Sequence, residues 1–138
     1  MVDARRVERI LRRVSEDLGA LRSYAAGASS LRADAARLGH TKYLFVTAIE
    51  GCVDVAQHLC ASESWGPPAT NADAVRILAR HGVVEEGLAD SIASAVGFRN
   101  VLVHLYTEVD DERVVDHLAG LGHLEQFVAD VAAWVEAR

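Results

Sequence analysis

At 138 residues, with 51% apolar and 25% charged residues, only two prolines and a net charge of -6, the chain has the size and composition of one folded unit with a single core. These values exclude disordered, collagen-like and rod-like coiled classes, and the expectation is one domain over residues 1–138. No uninterrupted apolar run approaches the roughly 20 residues of a bilayer span, and the arginine-rich start does not read as a secretory leader. The expected compartment is therefore the cytoplasm, with no membrane contact.

In the first segment Val7, Leu11, Val14, Leu18, Leu21 and Ala25 recur at spacings of four and three, which predicts an amphipathic helix from about residue 3 to 26. Gly27-Ala-Ser-Ser interrupts it. Residues 40–62 are apolar around most of a helical circumference, as a central helix covered on several sides must be. Glu50, Asp54 and His58 form one polar stripe on it. Residues 62–71, containing Trp65-Gly-Pro-Pro, read as a loop. Thr70 with Asp73 signals the start of a short helix closed at Gly82.

A further helix is expected from near residue 84, with the pattern resuming after Gly97 through Tyr106. Asp110, Asp111 and Glu112 supply a cap and first-turn acids for a last helix carrying Val114, Leu118, Leu121, Leu124, Val128, Val131 and Val135. No segment keeps period-two alternation. The fold class is all-α, an antiparallel bundle of about five helices.

Cys52 and Cys60 lie eight residues apart in one helix, about 12 Å along its axis, too far for a disulfide, and read as packed thiols. The six histidines show no zinc-type spacing, and no glycine-rich phosphate loop occurs, so neither a metal nor a cofactor is expected. Trp65 and Trp134 read as anchors, and His117 and His123 as surface residues. Charge is uneven. Residues 1–42 carry nine basic against five acidic groups, and the remainder five against fifteen. Arg5, Arg6, Arg9, Arg12 and Arg13 crowd into nine residues, as either a solvated face or a docking surface for a polyanion or an acidic partner.

Phe98-Arg-Asn-Val-Leu-Val-His-Leu-Tyr106 carries the chemistry. At about 100° per residue from Arg99, Tyr106 falls near -20°, Asn100 near 100° and His104 near 140°. Phe98, Val101, Leu102 and Leu105 occupy the opposite side and are expected to face the bundle. An arginine can hold a phosphate through two parallel hydrogen bonds and offset charge in a phosphoryl transition state. An imidazole can take or return a proton near neutral pH. Together they suit metal-independent RNA cleavage by a ribose 2′-hydroxyl. One histidine per chain suggests two chains pooling their groups. From spacing alone, a solvated helix face explains the same residues.

Arg99 and His104 with four residues between them, Asn100 directly after the arginine and Tyr106 two beyond the histidine resemble the RxxxxHxY signature of the HepT-like ribonuclease toxins in the HEPN superfamily. The Gly97-Phe98-Arg99-Asn100 lead-in, the Tyr-Thr-Glu-Val-Asp exit and the Cys-Val-Asp-Val-Ala-Gln-His segment are similar in the same order. The resemblance covers most of residues 40–130. It implies a helical homodimer with Arg99 and His104 as the catalytic pair and Asn100 in support. Asp54 and His58 match polar positions of the family's second helix, either as a mutually hydrogen-bonded pair or as supporting contacts to Arg99. It further implies the toxin of a type VII toxin–antitoxin system, acting on RNA. A nucleotidyltransferase antitoxin of the MntA type would neutralise it by transferring AMP to Tyr106, alone or within a larger hetero-oligomer. The alternative is a non-catalytic HEPN subunit that its nucleotidyltransferase partner binds and modifies. The net charge is unfavourable for RNA binding unless the basic first helix borders the site.

Overall fold

A computed structural model describes residues 1–105 and 108–138, all helix, turn and connection. Helix α1 (Ala4–Ala26) starts where the Asp3 carboxylate accepts the Arg6 N–H, and it buries Val7, Leu11, Val14, Leu18 and Leu21, the stripe read from the sequence. A single turn, α2 (Ala28–Leu31), follows the break at Gly27. The central helix α3 (Ala35–Ser62) begins five residues before its expected start, because Asp34 caps it and Leu38 is already in the core. By length and hydropathy α3 would suffice to cross a bilayer, yet more than half of its apolar stretch is buried within the bundle. It is the core helix, packed by α1 on one side and by the later helices on the others.

Thr70 accepts the Asp73 N–H and opens α4 (Asn71–Arg80), and the chain turns at Gly82, whose φ of +75° suits glycine. Helix α5 (Glu86–His104) runs through Gly97 without a break and packs on α3, α4 and α7. Asp110 caps α6 (Asp111–His117) as expected. The expected single last helix is divided, since a 3₁₀ turn at Leu118–Gly120 separates α6 from α7 (Leu121–Glu136). Gly120 and Gly122 weaken helix there, while Leu118 and Leu121 stay buried on either side of the bend. Five of the described helices have ten residues or more, which fits the expected bundle.

Two packing details bear on the candidate site. A β-carbon on Gly51 would collide with Val14 Cγ2, so glycine permits α1 to lie close against α3. On the far side of α3, Phe98 of α5 is wedged edge-on against Phe45 at 5.4 Å and stacked on the His117 ring at 3.7 Å. His117 is thus half-buried rather than on the surface, and burial beside Phe98 pushes its imidazole below the usual range, Arg113 adding to the effect. His123 is exposed, as expected. Trp65 anchors the α3–α4 loop, stacking on His81 at 4.2 Å and meeting Trp134 at 5.7 Å. Both cysteines are free and buried, and burial holds the Cys52 thiol up to about 12.

Candidate functional site

Arg99 stands about 100° round α5 from Phe98 and about 60° from Leu102, both fully buried, so the core grip on those two residues fixes where the guanidinium goes. It is itself mostly buried, and a buried cation needs partners. Nη2 donates to Glu50 Oε1 of α3 at 2.5 Å, and Nη1 donates to the neighbouring Asn100 Oδ1 at 3.0 Å. Nε is buried and donates to nothing among the described residues. Arg99 therefore has both terminal nitrogens engaged and its Nε–H unspent.

The guanidinium lines a cavity of about 450 Å³ with Glu50, Val53, Asp54, Gln57 and Asn71. Gln57 Nε2 donates to Asn71 Oδ1 at 3.3 Å across its wall. A second, smaller hollow shares Glu50 and Asp54 and is closed on its other side by Ile10, Arg13 and Val14 of α1. The two carboxylates thus form a ridge with Arg99 on one flank and Arg13 on the other. Burial and the neighbouring Glu50 push the Asp54 carboxyl above its ordinary value, against the pull of Arg6, Arg13 and Arg99.

The polar stripe of α3 consequently divides. Glu50, which the sequence marks only as a member of the stripe, holds Arg99, and Asp54 lines the same cavity. His58, one turn further along the same stripe, is engaged by α1 instead, where its Nε2 accepts the Asp3 N–H at 3.1 Å. Asp54 and His58 do not bond to one another, so the mutual pair expected as one reading is not formed. Their spacing of four residues would allow a bond, but the His58 Nε2 is taken by the Asp3 N–H while Asp54 lines the two hollows. Burial and Arg6 lower the His58 imidazole.

His104 stands in the last turn of α5, a turn and a half beyond Arg99, exposed and without a partner among the described residues. Val103 and Leu105 beside it are also exposed, at 45% and 48%. The helical wheel expects Leu105 to face the bundle. It does not, because the helix ends at His104 and Leu105 takes a non-helical conformation of φ -127°, which removes it from the wheel. Tyr106 lies outside the described residues. No three His, Cys, Asp or Glu side chains gather to share a metal ion among the described residues.

Known proteins share both the sequence pattern and the fold. The family described as ribonuclease HepT-like matches residues 4–131. Among curated proteins, the chain is 33% identical over 78 residues to the mRNA nuclease HepT of Shewanella oneidensis, covering 56% of this chain and 57% of that one. It is 30% identical over 74 residues to the tRNA nuclease HepT of Aphanizomenon flos-aquae, covering 54% and 50%. The chain spans about half the length of the curated relatives it matches. Among solved structures, the tri-AMPylated HEPN toxin of Shewanella oneidensis, in complex with MNT antitoxin, superposes with a TM-score of 0.86 at 23% identity, covering 96% of this chain and 99% of that one. The cytosolic protein YutE of Bacillus subtilis, of unknown function, gives 0.83 at 20% identity, covering 99% and 92%. At such identities the structural likeness shows a shared fold.

Proposed function

This chain belongs to the ribonuclease HepT-like family, and from that premise we propose that it is the toxin of a toxin–antitoxin pair and cleaves RNA with Arg99 and His104. The observation that carries the reading is the clamp on Arg99. A guanidinium is held at the rim of a cavity by Glu50 and Asn100 with Nε unspent, and an exposed imidazole follows on the same helix. Nη1 and Nη2 each donate one N–H to these partners and keep a second, which a phosphate oxygen entering the cavity would accept, and charge gathering on that phosphate is stabilised by the guanidinium.

In the reaction the ribose 2′-oxygen bonds to its own phosphorus while the bond from phosphorus to the 5′-oxygen breaks. One imidazole takes the 2′-hydroxyl proton and a second returns a proton to the departing oxygen. Two copies of His104 meet that requirement in a homodimer. The exposed Val103 and Leu105 beside it are the apolar surface that a second copy would cover. Asn100 steadies Arg99 by accepting its N–H, and Asp54 supports the site through the cavity wall, whereas His58 supports it only by fixing the start of α1.

The partner in this reading is a nucleotidyltransferase antitoxin that adenylylates Tyr106. Support comes from the AMPylated toxin–antitoxin complex to which this chain is similar in fold. An anionic nucleotide near Arg99 would compete for the cation that holds RNA.

The test is cleavage of labelled RNA in the presence of a chelator, by the wild type and by His104→Ala. Cleavage by the wild type that disappears in the variant, with the fold intact, supports the nuclease. Undiminished cleavage in His104→Ala refutes it. The non-catalytic reading keeps one observation on its side, the neutralisation of Arg99 by Glu50 in the single chain. It predicts AMP transfer to Tyr106, absent in Tyr106→Phe, from a protein with no nuclease activity.

A further inference from the structure

The sequence leaves the basic first helix two readings, and its placement in the fold separates its arginines. Arg12 is engaged by Glu8 one turn earlier, at 3.0 Å, and Arg22 by Glu125 of α7. Arg6, Arg9 and Arg13 are exposed and have no ion pair among the described residues. At about 100° per residue these three fall within about 60° of one another, a single row about 10 Å long on one face of α1. That row is not remote from the candidate site. Arg13 borders the hollow whose other wall is Glu50 and Asp54, and those two carboxylates also wall the Arg99 cavity. Arg6 lies near enough to Asp54 and His58 to act on both electrostatically. The close approach of α1 to α3 that brings the row there is permitted by Gly51.

We propose that Arg6, Arg9 and Arg13 form a backbone-binding track for single-stranded RNA that continues from the Arg99 cavity across the Glu50–Asp54 ridge. The proposal rests on the nuclease reading and names the surface by which that site engages its substrate. Charge decides between occupants. The chain carries -6 in total, yet Arg13 and Arg99 offset Glu50 and Asp54 in the two hollows, and Arg6 and Arg9 add positive charge along the row beside them. An acidic protein surface would also be attracted, but the row leads to a ridge with the Arg99 cavity on its far side, and phosphates spaced along a strand match both the row and that cavity. Arginine neutralising a phosphate releases counterions, so each such pairing contributes to the salt dependence of binding.

The experiment measures the affinity of the full chain for a labelled single-stranded RNA by anisotropy across a salt series. His104→Ala is the background, so that the probe stays intact. Arg6→Gln, Arg9→Gln and Arg13→Gln are combined, and Arg12→Gln serves as the control on the same helix. The expected result is a fall of about 2 in the slope of log affinity against log salt for the triple variant, about 0.7 for each phosphate no longer neutralised, with the control unchanged. Restoring His104 in the triple variant should raise KM and leave kcat at saturating RNA unchanged. A slope unaltered in the triple variant would overturn the track while leaving the nuclease intact. A fall of about 0.7 in Arg12→Gln, the same share per arginine as in the triple variant, would overturn it as well, by showing a diffuse cloud of charge rather than a track. If the background protein binds no RNA while wild type cuts none, both the track and the nuclease reading fail together. A triple variant with an unchanged RNA slope but weakened association with an acidic protein partner would reassign the row to protein docking.

Discussion

The two ends of the polar face of α5 are built in opposite ways. Arg99 is mostly buried, tied to Glu50 of another helix and to its own neighbour Asn100, and backed by Phe98, which Phe45 and His117 hold from two sides. His104, one and a half turns on, is exposed, unpartnered among the described residues, and flanked by exposed Val103 and Leu105. The cation is set in place by the fold of one chain. The imidazole is only presented by it. On the proposed reading, phosphate binding is prepared in each copy, whereas proton transfer is completed when a second surface covers the helix end.

The largest effect that would test this contrast is the loss of His104. His104→Ala should lower RNA cleavage by about 10²- to 10⁴-fold, the usual contribution of a positioned proton-transfer group. Because the side chain is exposed and unbonded, thermal denaturation of the variant should change by no more than about 0.5 kcal/mol. A large loss of stability would place His104 in the structural part of the helix and dissolve the contrast.

Next in size is a change far from both ends. Gly51→Ala drives a methyl group into Val14, so the Val14 side chain must shift or α1 must move away from α3. Overpacking of this kind costs about 1–3 kcal/mol, which would be read as a lowered denaturation midpoint. If the α1 arginines serve the site, RNA affinity should fall in the same variant. Retained affinity with lowered stability would separate packing from function.

A smaller effect probes Arg99 itself. Glu50→Gln keeps a hydrogen-bond acceptor for Nη2 and removes the opposing charge. The carboxylate is 45% exposed, so the pair is worth no more than about 1 kcal/mol, and the expected outcome is an RNA affinity several-fold higher with little change in stability. Weaker affinity would mean that the charge of Glu50 is needed to hold the guanidinium in its working position, and would make the clamp a support rather than a brake.

Much of this architecture is legible in the sequence where the governing interactions are local. The α1 stripe, the Thr70 cap of α4 and the Asp110 cap of α6 depend on residues within a turn or two of each other, and each forms as read. What escapes depends on distant chain segments. Asp34 does not stand out as a cap, because Gly39 and the charged residues around it dilute the apolar pattern, yet burial of Leu38 carries α3 through them. The link from Glu50 to Arg99 spans 49 residues, so its only trace is one acid in a stripe of three polar groups. His117 looks like a surface residue because nothing in its own helix shows that Phe98 will lie on its ring.

That ring contact gives the smallest and most conditional prediction, on the buried side of the Arg99 support. Burial against Phe98, then Arg113, lowers the His117 imidazole, while Asp116 opposes them. The unfolded chain, with a histidine pKa near 6.5, therefore binds the proton more readily than the folded one. The stabilising contribution is full above about 6.5 and is lost progressively as pH falls toward the lower folded value. His58 is displaced in the same direction and adds to the trend. Melting temperatures followed downward from about pH 7.5, and stopped before the carboxylates titrate, should therefore fall in the wild type. They should fall less steeply in His117→Phe, which keeps a stacked ring but cannot bind a proton. Parallel slopes in the two proteins would show that His117 does not titrate differently on folding, and that the buried side of the Arg99 support is indifferent to pH.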